Sequence, residues 1–215
     1  MKLRAHVRRS GGFTLVELLV VMAILATLAG LGMYAVPKMM ESGKKSAVLG
    51  AINGLATSIE TYKTSGQGAY PPTVLADFPG VGPISDFRNC GIESVVLCLT
   101  SKRYPGSIDL SNIGELRIEN FDDDRTQVML TSAGTTDLFE LVDAWGTPIV
   151  YFHSSDYGRA AMLGIVATSQ EDVKAKPWMD PKLKKFYRSD SFQLISAGPD
   201  LEFNTEDDIT NFDRK

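Results

Sequence analysis

One stretch constrains this chain more than any other. From residue 13 to residue 36 there is a single charge, Glu17, in a run made mostly of Leu, Val, Ala, Ile and Met with a few Gly and Thr. Twenty-four residues at about 1.5 Å each give roughly 36 Å of helix, enough to cross about 30 Å of hydrocarbon. Lys2, Arg4, Arg8 and Arg9 precede the run, and residues 1–12 contain no acid. Cations on the leading side of an apolar segment predict a cytoplasmic N-terminus and an exported remainder.

Two simple explanations fit poorly. A secretory signal has a shorter apolar core that ends in its cleavage site, whereas here the candidate cleavage site, Gly11-Gly12, lies ahead of the apolar run. A plain single-pass anchor has no use for Glu17, because an ionised carboxylate in lipid costs about 2.5–3.5 kcal/mol on insertion scales. A partner removes that difficulty. Cutting after Gly12 makes Phe13 a new N-terminus, and its amine lies one turn from Glu17 of the same helix. In a bundle of identical helices it can instead meet Glu17 of the next copy, which pairs both charges and fixes the axial offset between neighbours.

The segment Arg9-Ser10-Gly11-Gly12-Phe13-Thr14-Leu15-Val16-Glu17-Leu18 resembles the prepilin signal of type IV pilins and type II secretion pseudopilins. The resemblance implies cleavage after Gly12 by a membrane prepilin peptidase, N-methylation of Phe13, and an assembly role for Glu17.

Further along, Gly30, Gly32 and Pro37 loosen or interrupt a helix. They mark either the end of the span or a weak point where it bends in a filament. Val48, Ile52, Leu55, Ile59 and Tyr62 then recur at steps of four, three, four and three, the pattern of a helix with one buried stripe. The spacing predicts one helix over residues 13–63, stopped by Ser65-Gly66-Gln67-Gly68 and Tyr70-Pro71-Pro72. Its Tyr62-Lys63 end and the Gly68-Ala69-Tyr70-Pro71 turn resemble the pseudopilin segment at the same place.

Residues 74–137 carry less pattern. Residues 92–102 read as a short helix closed by Arg103-Tyr104-Pro105-Gly106, and 116–118 and 127–130 as short strands around Asp122-Asp123-Asp124, read as a solvated acidic turn with a metal site as the alternative. Cys90 and Cys98 are the only cysteines. A disulfide is chemically permitted outside the cytoplasm, but eight residues of helix separate the Cα atoms by about 12 Å, too far to bridge. A bridge requires the helix to begin after Cys90.

Runs at 138–142 and 149–152 flank Asp143-Ala144-Trp145-Gly146-Thr147-Pro148 and read as a hairpin. The hexapeptide is similar to the Asp-Pro-Trp-Gly-Asn-Pro turn of major pseudopilins, with Ala144 in place of Pro. Residues 154–189 read as a long excursion, either solvated or a partner surface. A last strand at 191–196 leads into Asp200, Glu202, Glu206, Asp207, Asp208 and Asp213. These hard oxygen ligands suit Ca2+, although Thr205 and Asn211 break an EF-hand register. Ser196-Ala197-Gly198-Pro199-Asp200 and Thr205 to Phe212 resemble the C-terminal calcium loop of major pseudopilins. That resemblance implies structural Ca2+ held by Asp200 at one end and Asp207 and Asp208 at the other, with Glu206 in reserve.

The net charge is −4, and losing the four leader cations takes it to −8, which argues against a general nucleic-acid surface. His6 lies in the leader and leaves His153 alone; no nucleophile elbow, phosphate loop or zinc-spaced set is present, so no enzyme is expected. The expected fold is α+β. A long N-terminal helix, transmembrane in its first half and amphipathic in its second, packs on a small antiparallel sheet with a C-terminal calcium-binding loop. The expected organisation is a cleaved leader (1–12), a membrane and filament-core segment (13–36), an amphipathic half-helix (37–64) and a periplasmic globular domain (65–215). The resemblance implies a pseudopilus subunit anchored in the inner membrane. Its partners would be copies of itself, the prepilin peptidase, minor pseudopilins and the assembly platform, and the filament would drive protein export across the outer membrane. The alternatives are a type IV or minor pilin of a surface filament for adhesion, motility or DNA uptake, and a membrane-anchored binding domain that never polymerises.

Overall fold

The computed structural model describes residues 12–75, 81, 86–101, 114–130 and 134–214. The leader cations, Gly11, residue 102 and the 103–106 turn lie outside the described residues. Helix α1 spans Leu15–Tyr62 and runs through Pro37, so the helical span does not end at that proline. It passes into a π-helical turn, Lys63–Gln67. The turn closes where the Gly68 N–H donates to the Lys63 carbonyl at 3.1 Å, with Gly68 at φ 73°.

One compact unit ends at Ser42 and a second begins at Gly43. In the first, the apolar helix is bare: Leu15 is 80% exposed, Leu31 69% and Met33 80%. Its most apolar window has a mean hydropathy of 2.3, with none of that window buried. Lys38 Nζ donates to the Tyr34 hydroxyl at 2.7 Å and lies 4.5 Å from the ring centroid, an amphipathic pair at the end of the apolar segment.

In the second unit the expected stripe is the core-facing side of α1. Val48, Ile52, Leu55 and Ile59 are each at most 1% exposed, while Tyr62 is half-buried. Burying four such side chains contributes about 6–12 kcal/mol of transfer free energy before chain entropy is subtracted. They share a core cluster with Ile92, Val95, Val96 and Leu99 of helix α2 (Cys90–Thr100) and with Leu141, Tyr151 and Phe192. All eleven residues of α2 are buried.

Among the described residues, three small antiparallel sheets complete the unit. Strand β1 (Arg117–Glu119) pairs with β2 (Glu140–Val142). Strand β3 (Val150–His153) pairs with β6 (Phe192–Ser196), which also pairs with β7 (Ile209–Thr210). Strand β4 (Ile165–Val166) pairs with β5 (Val173–Lys174). The architecture is α+β, as the sequence predicts.

Several local expectations need correction. Because α2 begins at Cys90 rather than beyond it, Cys90 and Cys98 share one helix, and both are free, buried thiols; the possible disulfide is not formed. The hairpin at 138–152 is only a beginning. The Ile149 N–H donates to the Leu141 carbonyl at 2.8 Å and Val142 bridges Pro148, but β2 then joins β1 while β3 joins β6. Residues 127–130 form no strand. Part of 154–189 is ordered as a 3₁₀ segment (Ser154–Arg159), helix α3 (Ala160–Leu163) and the β4–β5 pair.

Candidate processing signal and acidic sites

At the start of α1, the Thr14 N–H and Oγ1 both donate to Glu17 Oε2 at 2.8 Å, and the Glu17 N–H donates to Thr14 Oγ1 at 3.2 Å. This is a capping box, in which a Ser or Thr and the Glu three residues later satisfy each other's backbone donors. It gives Glu17 a local use that the sequence reading missed, though Thr-x-x-Glu ahead of an apolar run was the available signal. Gly12 and Phe13 are exposed, Phe13 at 81%. The expected cut point is therefore accessible, one residue before the backbone N–H that Glu17 holds.

At the other end of the chain, the structure brings together only some of the predicted ligands. The Asp207 carboxylate lies beside Gly198, two residues before Asp200. Asp200 Oδ1 accepts from the Glu202 N–H at 3.0 Å, and Asp207 Oδ1 from the Thr205 hydroxyl at 2.8 Å. Gly198, at φ 72°, makes the approach possible, since a Cβ there would stand 2.7 Å from the Asp207 carbonyl oxygen. Asp208 turns inward. It is 5% exposed, and its Oδ2 accepts from Trp178 Nε1 at 2.8 Å and the Asn204 N–H at 2.9 Å, while Oδ1 has no partner. Burial pushes its carboxyl up to about 6, against those hydrogen bonds and the Arg214 charge. Glu206 offers its carbonyl to Arg214. The Arg214 guanidinium donates to the carbonyls of Thr205, Glu206 and Asp208 at 2.6–2.9 Å and lies over the Trp178 ring. Lys176 and Asn204 exchange two further bonds. The 174–188 stretch is thus tied to the C-terminal loop through Lys176 and Trp178, which the sequence reading missed because these contacts are long-range.

A third acidic group is the one the sequence reading placed in solvent. Asp122 and Asp124 are only partly exposed and face Glu93 of α2 and Glu140 of β2, which are 1% and 0% exposed. One oxygen from each of Glu93, Asp122 and Glu140 lies within 4.8 Å of the others. Glu140 accepts from the Phe121 N–H at 2.8 Å and from Asn89 Nδ2 at 3.3 Å, and Asn89 Nδ2 also reaches Asp122 Oδ2 at 3.3 Å. Burial, reinforced by neighbouring carboxylates, holds Glu93 well above the usual range and pushes Asp124 up to about 7. Burial likewise pushes Glu140 up to about 8 and raises Asp122. No sequence spacing flags this group, because its members come from three segments that meet only in the fold.

Comparison with known proteins bears on the N-terminus. Residues 7–33 match the family model of the prokaryotic N-terminal methylation motif. No curated protein and no solved structure matches the chain. The chain carries the N-terminal signal of a prepilin-processed, type IV pilin-like protein, on an N-terminal apolar helix consistent with anchoring in the inner membrane.

Proposed function

We propose that this chain is a major-pseudopilin-like structural subunit of a type II secretion system. The observation that carries the reading is the join of a methylation signal to a bare apolar helix headed by Glu17. Prepilin peptidase cuts after Gly12, Phe13 is N-methylated, and the monomer waits in the inner membrane with its globular unit in the periplasm. On assembly the exposed helices bury one another. Glu17 exchanges its bonds from Thr14 for the Phe13 ammonium of a neighbouring copy, and removing that charge pair from lipid favours the correct axial offset. Minor pseudopilins and an assembly platform, with a separate motor, complete the machine.

The experiment is Glu17→Ala in cells that carry the assembly machinery. The expected result is a membrane-inserted protein that no longer enters filaments. Unchanged filament yield would sink the polymerisation reading and leave a plain anchor.

The choice of secretion over a surface filament rests on the C-terminal loop. In this reading Asp200 and Asp207 are the carboxylate pair that a structural Ca2+ joins, with loop carbonyls, Asp208 and Glu206 completing or supporting the shell. A type IV or minor pilin is the second reading, and Arg214 favours it. This guanidinium already bonds the carbonyls of Thr205, Glu206 and Asp208, so the loop holds a cation of its own. A Ca2+-dependent rise in Tm that is smaller in Asp207→Asn than in wild type supports the secretion reading; a rise of the same size in both supports the pilin.

A further inference from the structure

We propose that Glu93, Asp122, Asp124 and Glu140 form a divalent-cation site, fitted to Ca2+, that ties α2 to the β1–β2 pair. The site is separate from the C-terminal loop and does not depend on the chain's role in any filament.

Geometry is the first support. Oxygens bound to one Ca2+ at about 2.4 Å can stand at most about 4.8 Å apart, and one oxygen from each of Glu93, Asp122 and Glu140 meets that limit. The second support is an orphaned atom. Glu93 is 1% exposed and its Oε1 has no hydrogen-bond partner. A buried carboxylate oxygen with nothing to accept from is costly. Asp122 Oδ1 and Asp124 Oδ1 are buried and unpartnered in the same way.

The third support is the missing counter-charge. Among the described residues, no Lys or Arg forms an ion pair with any of the four acids. Arg88, the cation whose field reaches Asp122 and Asp124, gives its guanidinium to Asp86 at 2.7 Å and to Asp172 at 3.8 Å. The amide donors from Asn89 and Phe121 supply three hydrogen bonds to eight carboxylate oxygens.

The donor set selects the ion. All the ligands are hard carboxylate oxygens, which suit Ca2+ and Mg2+ rather than zinc or copper. Mg2+ demands near-ideal octahedral geometry and keeps several waters, whereas Ca2+ accepts six to eight oxygens in a flexible cage. Four carboxylates from three separated segments, two of them buried and two partly exposed, match the second description. Binding draws α2, the 120–124 turn and β2 onto one centre.

The test uses the full-length protein in non-ionic detergent, stripped with chelator and melted with CaCl2, with MgCl2 or with chelator. The variants are Asp207→Asn, which removes the C-terminal loop's contribution, and Asp207→Asn combined with Glu93→Gln or Asp122→Asn. Ca2+ at about 100-fold over its Kd raises Tm by about 5–10 °C. The expected result is that Asp207→Asn keeps a rise of this size and both double variants lose it. Asp122→Asn, at a partly exposed position, serves if Glu93→Gln does not fold. Two results overturn the proposal: no rise in Asp207→Asn at saturating Ca2+, or a rise that survives unchanged in both double variants. An equal response to Mg2+ overturns the assignment to Ca2+.

Discussion

Replacing Asp143 by Ala tests how the two larger sheets are joined. Asp143 is 0% exposed at the end of β2. Its Oδ1 accepts from the N–H groups of Trp145 and Thr147 at 2.9 and 3.0 Å, and its Oδ2 accepts the Ser196 hydroxyl of β6 at 2.6 Å. One side chain thus shapes the turn into β3 and anchors it to β6. Hydrogen bonds to a charged group are worth about 1.5–3 kcal/mol each. Burial raises the carboxyl's pKa and these bonds lower it, so relief of the buried charge returns part of the loss. The net cost is about 3 kcal/mol, or about 6–12 °C in Tm for a unit of this size. Asp143→Asn keeps the Oδ1 acceptor and presents an amide to Ser196, whose oxygen can accept; its cost is about 1 kcal/mol. Urea unfolding of the detergent-solubilised protein, followed by tryptophan fluorescence, reads both. A loss below about 1 kcal/mol for Asp143→Ala, or equal losses for Ala and Asn, refutes the reasoning.

Gly91→Ala places a methyl against the Tyr151 carbonyl, with Thr73 Cγ2 also in contact; since backbone must yield, urea melts should show a loss of about 1–3 kcal/mol. Burial pushes the Cys90 thiol up to about 12 and the Cys98 thiol up to about 11, so neither should react with iodoacetamide at pH 8 in the native protein, and both should react on unfolding. His153 is held below its ordinary value, chiefly by burial and also by Lys63, against the pull of Asp156. The folded state disfavours its charged form, so its contribution is present above about pH 6.5 and is lost as pH falls through that value. Stability of wild type measured against His153→Gln from pH 8 to pH 5 should show this difference shrinking in that direction.

The parts legible in sequence are those governed by short-range pattern. The apolar run from Phe13 and the stripe at Val48, Ile52, Leu55 and Ile59 follow from helical period alone, and both appear as read. The last strand and the turn at Asp143 follow from local propensity. What escaped depends on long-range meetings. Strands β2 and β3 look like partners along the chain, yet Ser196 and its neighbours draw β3 to β6 while Arg117–Glu119 draws β2 away. Asp122-Asp123-Asp124 reads as solvated because nothing nearby in sequence announces Glu93 and Glu140. Arg214 lies just past the acidic stretch, and only the fold shows it holding three of that loop's carbonyls. The Thr14–Glu17 box is legible in the Thr-x-x-Glu spacing ahead of the apolar run.

The central claim is that the chain is processed as a prepilin and works from its Phe13 terminus. The most direct test is intact-mass and N-terminal peptide mass spectrometry of the full-length chain produced with and without a prepilin peptidase. The account predicts that the peptidase yields a single species starting at N-methylated Phe13, and that a charged residue at Gly12 blocks the cut. A chain that stays whole, or that is cut beyond the apolar helix, contradicts it.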